Sequence, residues 1–276
     1  MQKPMRIEDY PPQEPLSEVG QAFADEAMSR GEGVSAVDVL YGDDPYRSIA
    51  IQTPREPNGT VLAMMHGGGW TSGYKEHLNF AGPGATARGV VYASIGYRLA
   101  PQHLFPTGFE DSADAVAWLY RNVAEMGGDP ARIFVGGHSA GGHYAALLAV
   151  RKDWQAKRGL PDDVIRGCLP ISGVFRFGEG SGLSARPRFL GPESNDRPAS
   201  PVLDIQATPP FLIAHGGEDF PHLMTQAEEM EGALRDAGGD VTRLSMPGRN
   251  HFSACYAAGE ENGPWVGPAF EWIAAH

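Results

Sequence analysis

The chain has 276 residues, 42% of them hydrophobic and 20% charged, which is the make-up of a folded globular protein with a substantial core. Its net charge of −12, from 22 basic and 34 acidic residues, argues against nucleic acid or an anionic membrane as partner, because both need clustered lysine and arginine. The two cysteines, Cys168 and Cys255, make no disulfide framework. Residues 1–10 are polar with no signal-peptide core, and no apolar run reaches membrane length, so a cytoplasmic chain is expected.

In chain order, residues 17–30 read as a helix opened by Ser17. Residues 36–40 and 48–52 flank a Gly-Asp-Asp-Pro turn and read as an antiparallel hairpin at the leading edge of a sheet. Apolar strands follow at 61–66, 90–94, 133–135, 168–172, 211–214 and 241–245. Helical patterns lie between and after them at 78–88, 107–126, 140–151, 224–237 and 264–275. Strands alternating with helices imply βαβ units, here an α/β domain spanning residues 1–276 around a mostly parallel, eight-stranded sheet. Residues 173–201 are rich in Gly, Pro, Ser and Arg but also hold Phe175, Phe177, Phe189 and Leu190. Long irregular segments in compact domains are commonly functional, so an ordered lid is expected there. With the helix at 17–30 it makes two insertions over the active site.

The most informative stretch is Gly137-His138-Ser139-Ala140-Gly141, placed between an apolar strand and a helix. This is G-x-S-x-G in its strand–turn–helix setting, with Ser139 as nucleophile. The turn is tight, so its neighbours must be small. The helix that follows brings free N–H groups and a positive dipole end to the developing oxyanion. A second glycine corner, His66-Gly67-Gly68-Gly69-Trp70, follows the strand at 61–66. The N–H groups of Gly67 and Gly68, with that of Ala140, would form an oxyanion hole.

HGGGW, then Tyr97-Arg98-Leu99-Ala100-Pro101, then GHSAGG and His143, resemble the hormone-sensitive-lipase-like esterases and the kynurenine formamidases (arylformamidases). The resemblance runs from about residue 61 to residue 252 and implies the α/β-hydrolase fold with a short lid. His138 before the serine is closer to the formamidase side, since the lipase-like branch more often has Asp there.

In this fold the triad follows the order Ser, acid, His. His251 in Gly248-Arg249-Asn250-His251-Phe252 follows the last strand and fits the base. His276 is terminal, and His215 and His222 come too early. After the strand at 211–214 both Glu218 and Asp219 are available as the acid. The resemblance selects Asp219, with Glu218 kept as the alternative. Trp70, His143 and Phe252 adjoin the motifs and are candidate substrate-binding residues, although a packing role suits His143 at least as well. Asp111 reads as a structural carboxylate near a helix start.

The function expected from these residues is a carboxylesterase acting on small esters through an acyl-enzyme. The close alternative is an arylformamidase acting on N-formyl aryl amides, and a remote one is a non-catalytic binding module on the same fold. The nine histidines include no H-E-x-x-H and no paired ligand spacing, so neither metal nor cofactor is expected. Partners are limited to a small-molecule ester or formamide, with no nucleic acid and no membrane. A homodimer is left open.

Overall fold

The computed structural model describes residues 5–186 and 188–276. Helix α1 (Glu18–Arg30) precedes strands β1 (Val37–Leu40), β2 (Ser48–Gln52) and β3 (Gly59–Met65). Helix α2 (Gly82–Thr86), β4 (Val91–Ile95), α3 (Thr107–Asn122), β5 (Gly128–His138) and α4 (Ala140–Val150) follow. The chain continues through β6 (Ile165–Ile171), α5 (Asp196–Ala199), β7 (Phe211–Gly216) and α6 (Pro221–Asp236). It ends with β8 (Val241–Met246), α7 (His251–Tyr256) and α8 (Val266–Ala275).

Among the described residues these strands form one eight-stranded sheet in the order β1-β2-β4-β3-β5-β6-β7-β8. The expected hairpin is present: β1 pairs antiparallel with β2, with Val37 opposite Ile51 and Leu40 opposite Ser48. β2 meets β4 antiparallel, and every later pairing is parallel. The central strands read as continuous apolar runs because both faces of the sheet are covered. Alternate residues of β3 divide between two cores. Val61, Ala63 and Met65 pack with α3, α4 and α6, whereas Leu62 and Met64 pack with α7 and α8.

The sequence reading departs from the structure mainly at helix ends. The helix expected at 78–88 is a 3₁₀ stretch, Lys75–Ala81, followed by the short α2. Pro83 supplies no backbone N–H and sits where a helix begins more easily than it continues. The helix expected at 107–126 turns 3₁₀ after Asn122 and stops at Gly127, whose φ of 82° is left-handed. α7, which carries His251, was not expected as a helix.

Asp111 lies one turn into α3, not at its start, and is almost fully buried. Arg98 donates to it three times: backbone N–H to Oδ2 at 3.0 Å, Nε to Oδ2 at 2.8 Å and Nη2 to Oδ1 at 2.7 Å. The carboxylate thereby fixes the chain leaving β4 against α3. Arg47 also pairs with this buried carboxylate at 3.2 Å, so its loss leaves two partly exposed arginines without their shared anion. Asp111→Ala is therefore expected to cost about 3 kcal/mol of unfolding free energy, read as a lowered urea midpoint at neutral pH.

Candidate active site

The candidate residues come from strand ends on one side of the sheet, where ligands bind in open α/β folds. Ser139 follows β5, Gly67 and Gly68 follow β3, Asp219 follows β7 and His251 follows β8.

Ser139 has φ 54° and ψ −117°, a conformation that L side chains rarely adopt. Its N–H donates to Ile171 O at 2.9 Å and its carbonyl accepts from His143 N–H at 3.0 Å, so the corner is fixed from both sides. Gly141 shows why the motif needs glycine. A Cβ there would lie 2.0 Å from Met65 O, because the first turn of α4 runs directly against the end of β3. The corner leaves Ser139 half-buried and so open to a ligand.

The Ser139 hydroxyl donates to His251 Nε2 at 3.0 Å. His251 Nδ1–H donates to Asp219 Oδ1 at 2.9 Å. A carboxylate can only accept, which places the imidazole proton on Nδ1 and leaves the Nε2 lone pair facing the serine. His251 is the first residue of α7. The Asn250 side chain caps that helix by accepting from Phe252 N–H at 3.1 Å and Ser253 N–H at 2.9 Å.

Asp219 is 4% exposed, while Glu218 is exposed to solvent. The structure thus brings Asp219, not Glu218, to His251. Oδ1 of Asp219 also accepts from Phe220 N–H at 2.8 Å. Oδ2 accepts from the Ser172 hydroxyl and from Gly216 N–H, the latter at 3.3 Å. Burial alone would raise this pKa, but the hydrogen bonds from His251, Ser172 and Phe220 outweigh it and hold it down to about 2.

The HGGGW corner lies against the serine: a Cβ on Gly67 would be 3.3 Å from Ser139 Cβ. Gly68 has φ 121°, and a Cβ there would strike Ser72 O at 2.0 Å. Gly68 O accepts from Ser72 Oγ at 2.9 Å, Tyr97 Oη donates to His66 O at 2.7 Å, and Ala100 N–H donates to Trp70 O at 2.9 Å. The Tyr97–Pro101 motif is thus the scaffold of this corner. Among the described residues no acceptor in the chain takes up the N–H groups of Gly67, Gly68 or Ala140.

The proposed substrate-binding residues fall into two settings. Trp70 Nε1 donates to His143 Nδ1 at 3.1 Å, and His143 Nε2 donates to Ala199 O at 2.7 Å. Both residues are buried, and Trp70 stacks on Phe189 with ring centroids 4.2 Å apart. Their polar atoms are therefore committed inside the chain. Burial holds the His143 pKa down to about 3, so the ring is neutral. Phe252 is half-buried, with its ring 5.4 Å from that of His251. Within residues 173–186 and 188–201, Phe177 and Phe189 pack on Trp70 and His143.

Sequence reading passed over two residues at the centre. Ser172 directly follows β6 and holds Asp219, and its place just after a strand beside β5 is the signal that could have found it. Phe220, an aromatic that could line an apolar pocket but was not singled out, is 44% exposed and its ring lies 4.7 Å from that of His251.

A carboxyl whose folded-state pKa lies below its unfolded value of about 4 stabilises the fold above that pH, and the contribution disappears as pH falls through the folded value. For Asp219, held at about 2, this is worth about 2 kcal/mol. Asp219→Asn should be less stable than wild type by about that amount at pH 7, and the gap should close between about pH 4 and pH 2. Urea titrations at stepped pH measure it; a gap independent of pH would contradict the charged carboxylate.

Comparison with known proteins agrees with this architecture. Residues 62–189 match the Abhydrolase_3 family, described as having the α/β hydrolase fold. The esterase LipC of Mycobacterium tuberculosis is 33% identical over 237 residues, 77% of this chain and 58% of that protein. A probable isoprenylcysteine alpha-carbonyl methylesterase of Oryza sativa is 37% identical over 238 residues, 77% of this chain and 56% of that protein. The chain thus spans little more than half the length of these curated relatives. A Pyrobaculum calidifontis esterase superposes with a TM-score of 0.76 at 23% identity, covering 93% of this chain and 92% of the other. Its likeness, like the sheet order and the strand-end corners, is one of fold. The chain belongs to the α/β-hydrolase superfamily.

Proposed function

We propose that the chain is a serine carboxylesterase cleaving small esters through an acyl-enzyme. One observation carries this reading: the continuous line from Ser139 Oγ to His251 at 3.0 Å and on to Asp219 at 2.9 Å, beside amide N–H groups with no acceptor of their own. In this mechanism Ser139 Oγ attacks the acyl carbon as its proton passes to His251 Nε2. Asp219 stabilises the imidazolium without taking the proton. The oxyanion collects the N–H groups of Gly67, Gly68 and Ala140, each worth about 3 kcal/mol to the transition state. His251 then protonates the leaving alcohol, and water, deprotonated by the same imidazole, releases the acid.

The relatives described above carry esterase names, which favours an ester over the N-formyl amide that the sequence motifs left open. A small substrate is favoured by segment 173–201, whose apolar side chains Phe175, Phe177, Phe189 and Leu190 are buried in the core, not displayed for a long acyl chain.

Ser139→Ala should lower kcat for p-nitrophenyl acetate by at least about 10⁴-fold and abolish labelling by a fluorophosphonate, with an unchanged circular dichroism spectrum. Retained turnover would refute the nucleophile. Asp219→Asn should lose about 10⁴-fold in kcat, while Glu218→Gln should stay near wild type. In wild type, kcat/KM for p-nitrophenyl acetate should exceed that for the octanoate; the reverse order would refute the small-substrate reading.

A further inference from the structure

His138 stands immediately before the nucleophile, is 2% exposed, and has no part in the reaction described above. It is the last residue of β5, in register with Ile171 of β6, so the sheet fixes its backbone. Its side chain crosses to the other catalytic corner. Nε2 lies 2.9 Å from the main-chain oxygen of His251, and the two imidazole centroids are 4.7 Å apart. Phe23 of α1 packs on the same ring at 5.7 Å.

A carbonyl oxygen can only accept, so the Nε2 of His138 carries the proton and donates. Nδ1 is then a bare lone pair, with no partner among the described residues. It faces the oxyanion corner: a Cβ on Gly67 would sit 2.8 Å from it. Burial, reinforced by the neighbouring His251, pushes the pKa of this ring down to about 3, so the ring is neutral at neutral pH. An aspartate here could not make the contact, because a carboxylate offers the His251 carbonyl no hydrogen.

We infer that His138 is a positioning residue: its Nε2–H ties the main chain of His251 to the nucleophile's own strand and so sets the distance between imidazole and serine hydroxyl. The two groups that must stay in contact belong to loops far apart in sequence, and this hydrogen bond joins those loops directly. The inference rests on the reading of Ser139 and His251 as nucleophile and base.

Amide side chains separate the donor from the bulk of the ring. The Nε2 of glutamine falls close to the Nε2 of histidine, whereas the nitrogen of asparagine falls near Nδ1 and misses the His251 carbonyl. His138→Gln should keep kcat for p-nitrophenyl acetate within about threefold of wild type, and His138→Asn should lose about 10²-fold, the scale of a displaced reacting group. KM should change by less than about threefold in both, because the contact does not touch substrate. Rates are referred to sites titrated to completion with a fluorophosphonate, so that unfolded protein is not counted. His138→Met, apolar and of similar bulk, serves in place of the asparagine variant should that fail to fold, with the same loss expected. Equal rates for the donor and non-donor variants, whether both fast or both slow, would overturn the inference, as would a loss carried by KM alone. Ser139→Ala in the same assay keeps the readings apart: if it still turns over, the nucleophile assignment fails whatever residue 138 does.

Discussion

The backbone of Ser139, held at φ 54°, is the constraint on which the rest of the site depends. Such a conformation costs on the order of 1–3 kcal/mol and persists only where its surroundings over-determine it. Here they do. The N–H is bonded to Ile171 of the neighbouring strand, and the carbonyl already belongs to α4. Gly141 lets that helix press against the end of β3 more closely than any side chain would allow. The same close approach delivers the N–H of Ala140 and the glycines after β3 to one place. A strained serine and a row of amides without acceptors among the described residues are thus two results of a single packing requirement.

Around this corner the polar groups are accounted for one by one. The Asp219 carboxylate accepts four hydrogen bonds, which is why it stays ionised despite burial. Three buried histidines of the surrounding elements have the opposite fate. His66, His138 and His143 are all buried and all have lowered pKa values, so burial keeps them neutral. Each has at least one ring nitrogen hydrogen-bonded to a main-chain oxygen. His138 and His143 thereby act as uncharged struts between segments far apart in sequence.

Much of this was legible in the sequence, and for identifiable reasons. The glycine corners and the order of serine, acid and base are local signals, because backbone geometry at a tight turn restricts which residues fit. The alternation of apolar strands with helical patterns sufficed for the sheet and its leading hairpin. What could not be read depends on contacts across the fold. Trp70 looked available to a ligand because its hydrogen bond to His143 joins the glycine corner after β3 to α4, a contact between segments far apart in sequence. The residues alone left Glu218 and Asp219 both open and only the resemblance selected Asp219, which is the buried one of the two. Ser172 escaped notice because its role is defined by a partner in another loop. Helix ends went wrong where Pro83 and Gly127 impose local geometry that a periodic pattern does not register.

The order in which the contacts can form has a consequence for the nascent chain. Ser139 and its histidine are separated by 112 positions, and α1 closes over the second corner through Phe23, which packs on Phe252 and Tyr256. During vectorial synthesis the sheet as far as β5 leaves the ribosome long before β8 and α7 exist. Until then the hydroxyl has no base beside it and its corner lacks the neighbours that enforce its shape. On the proposed reading of Ser139 and His251, the chain therefore stays unreactive until β8 and α7 have joined the sheet, and reactivity arrives together with that tertiary closure.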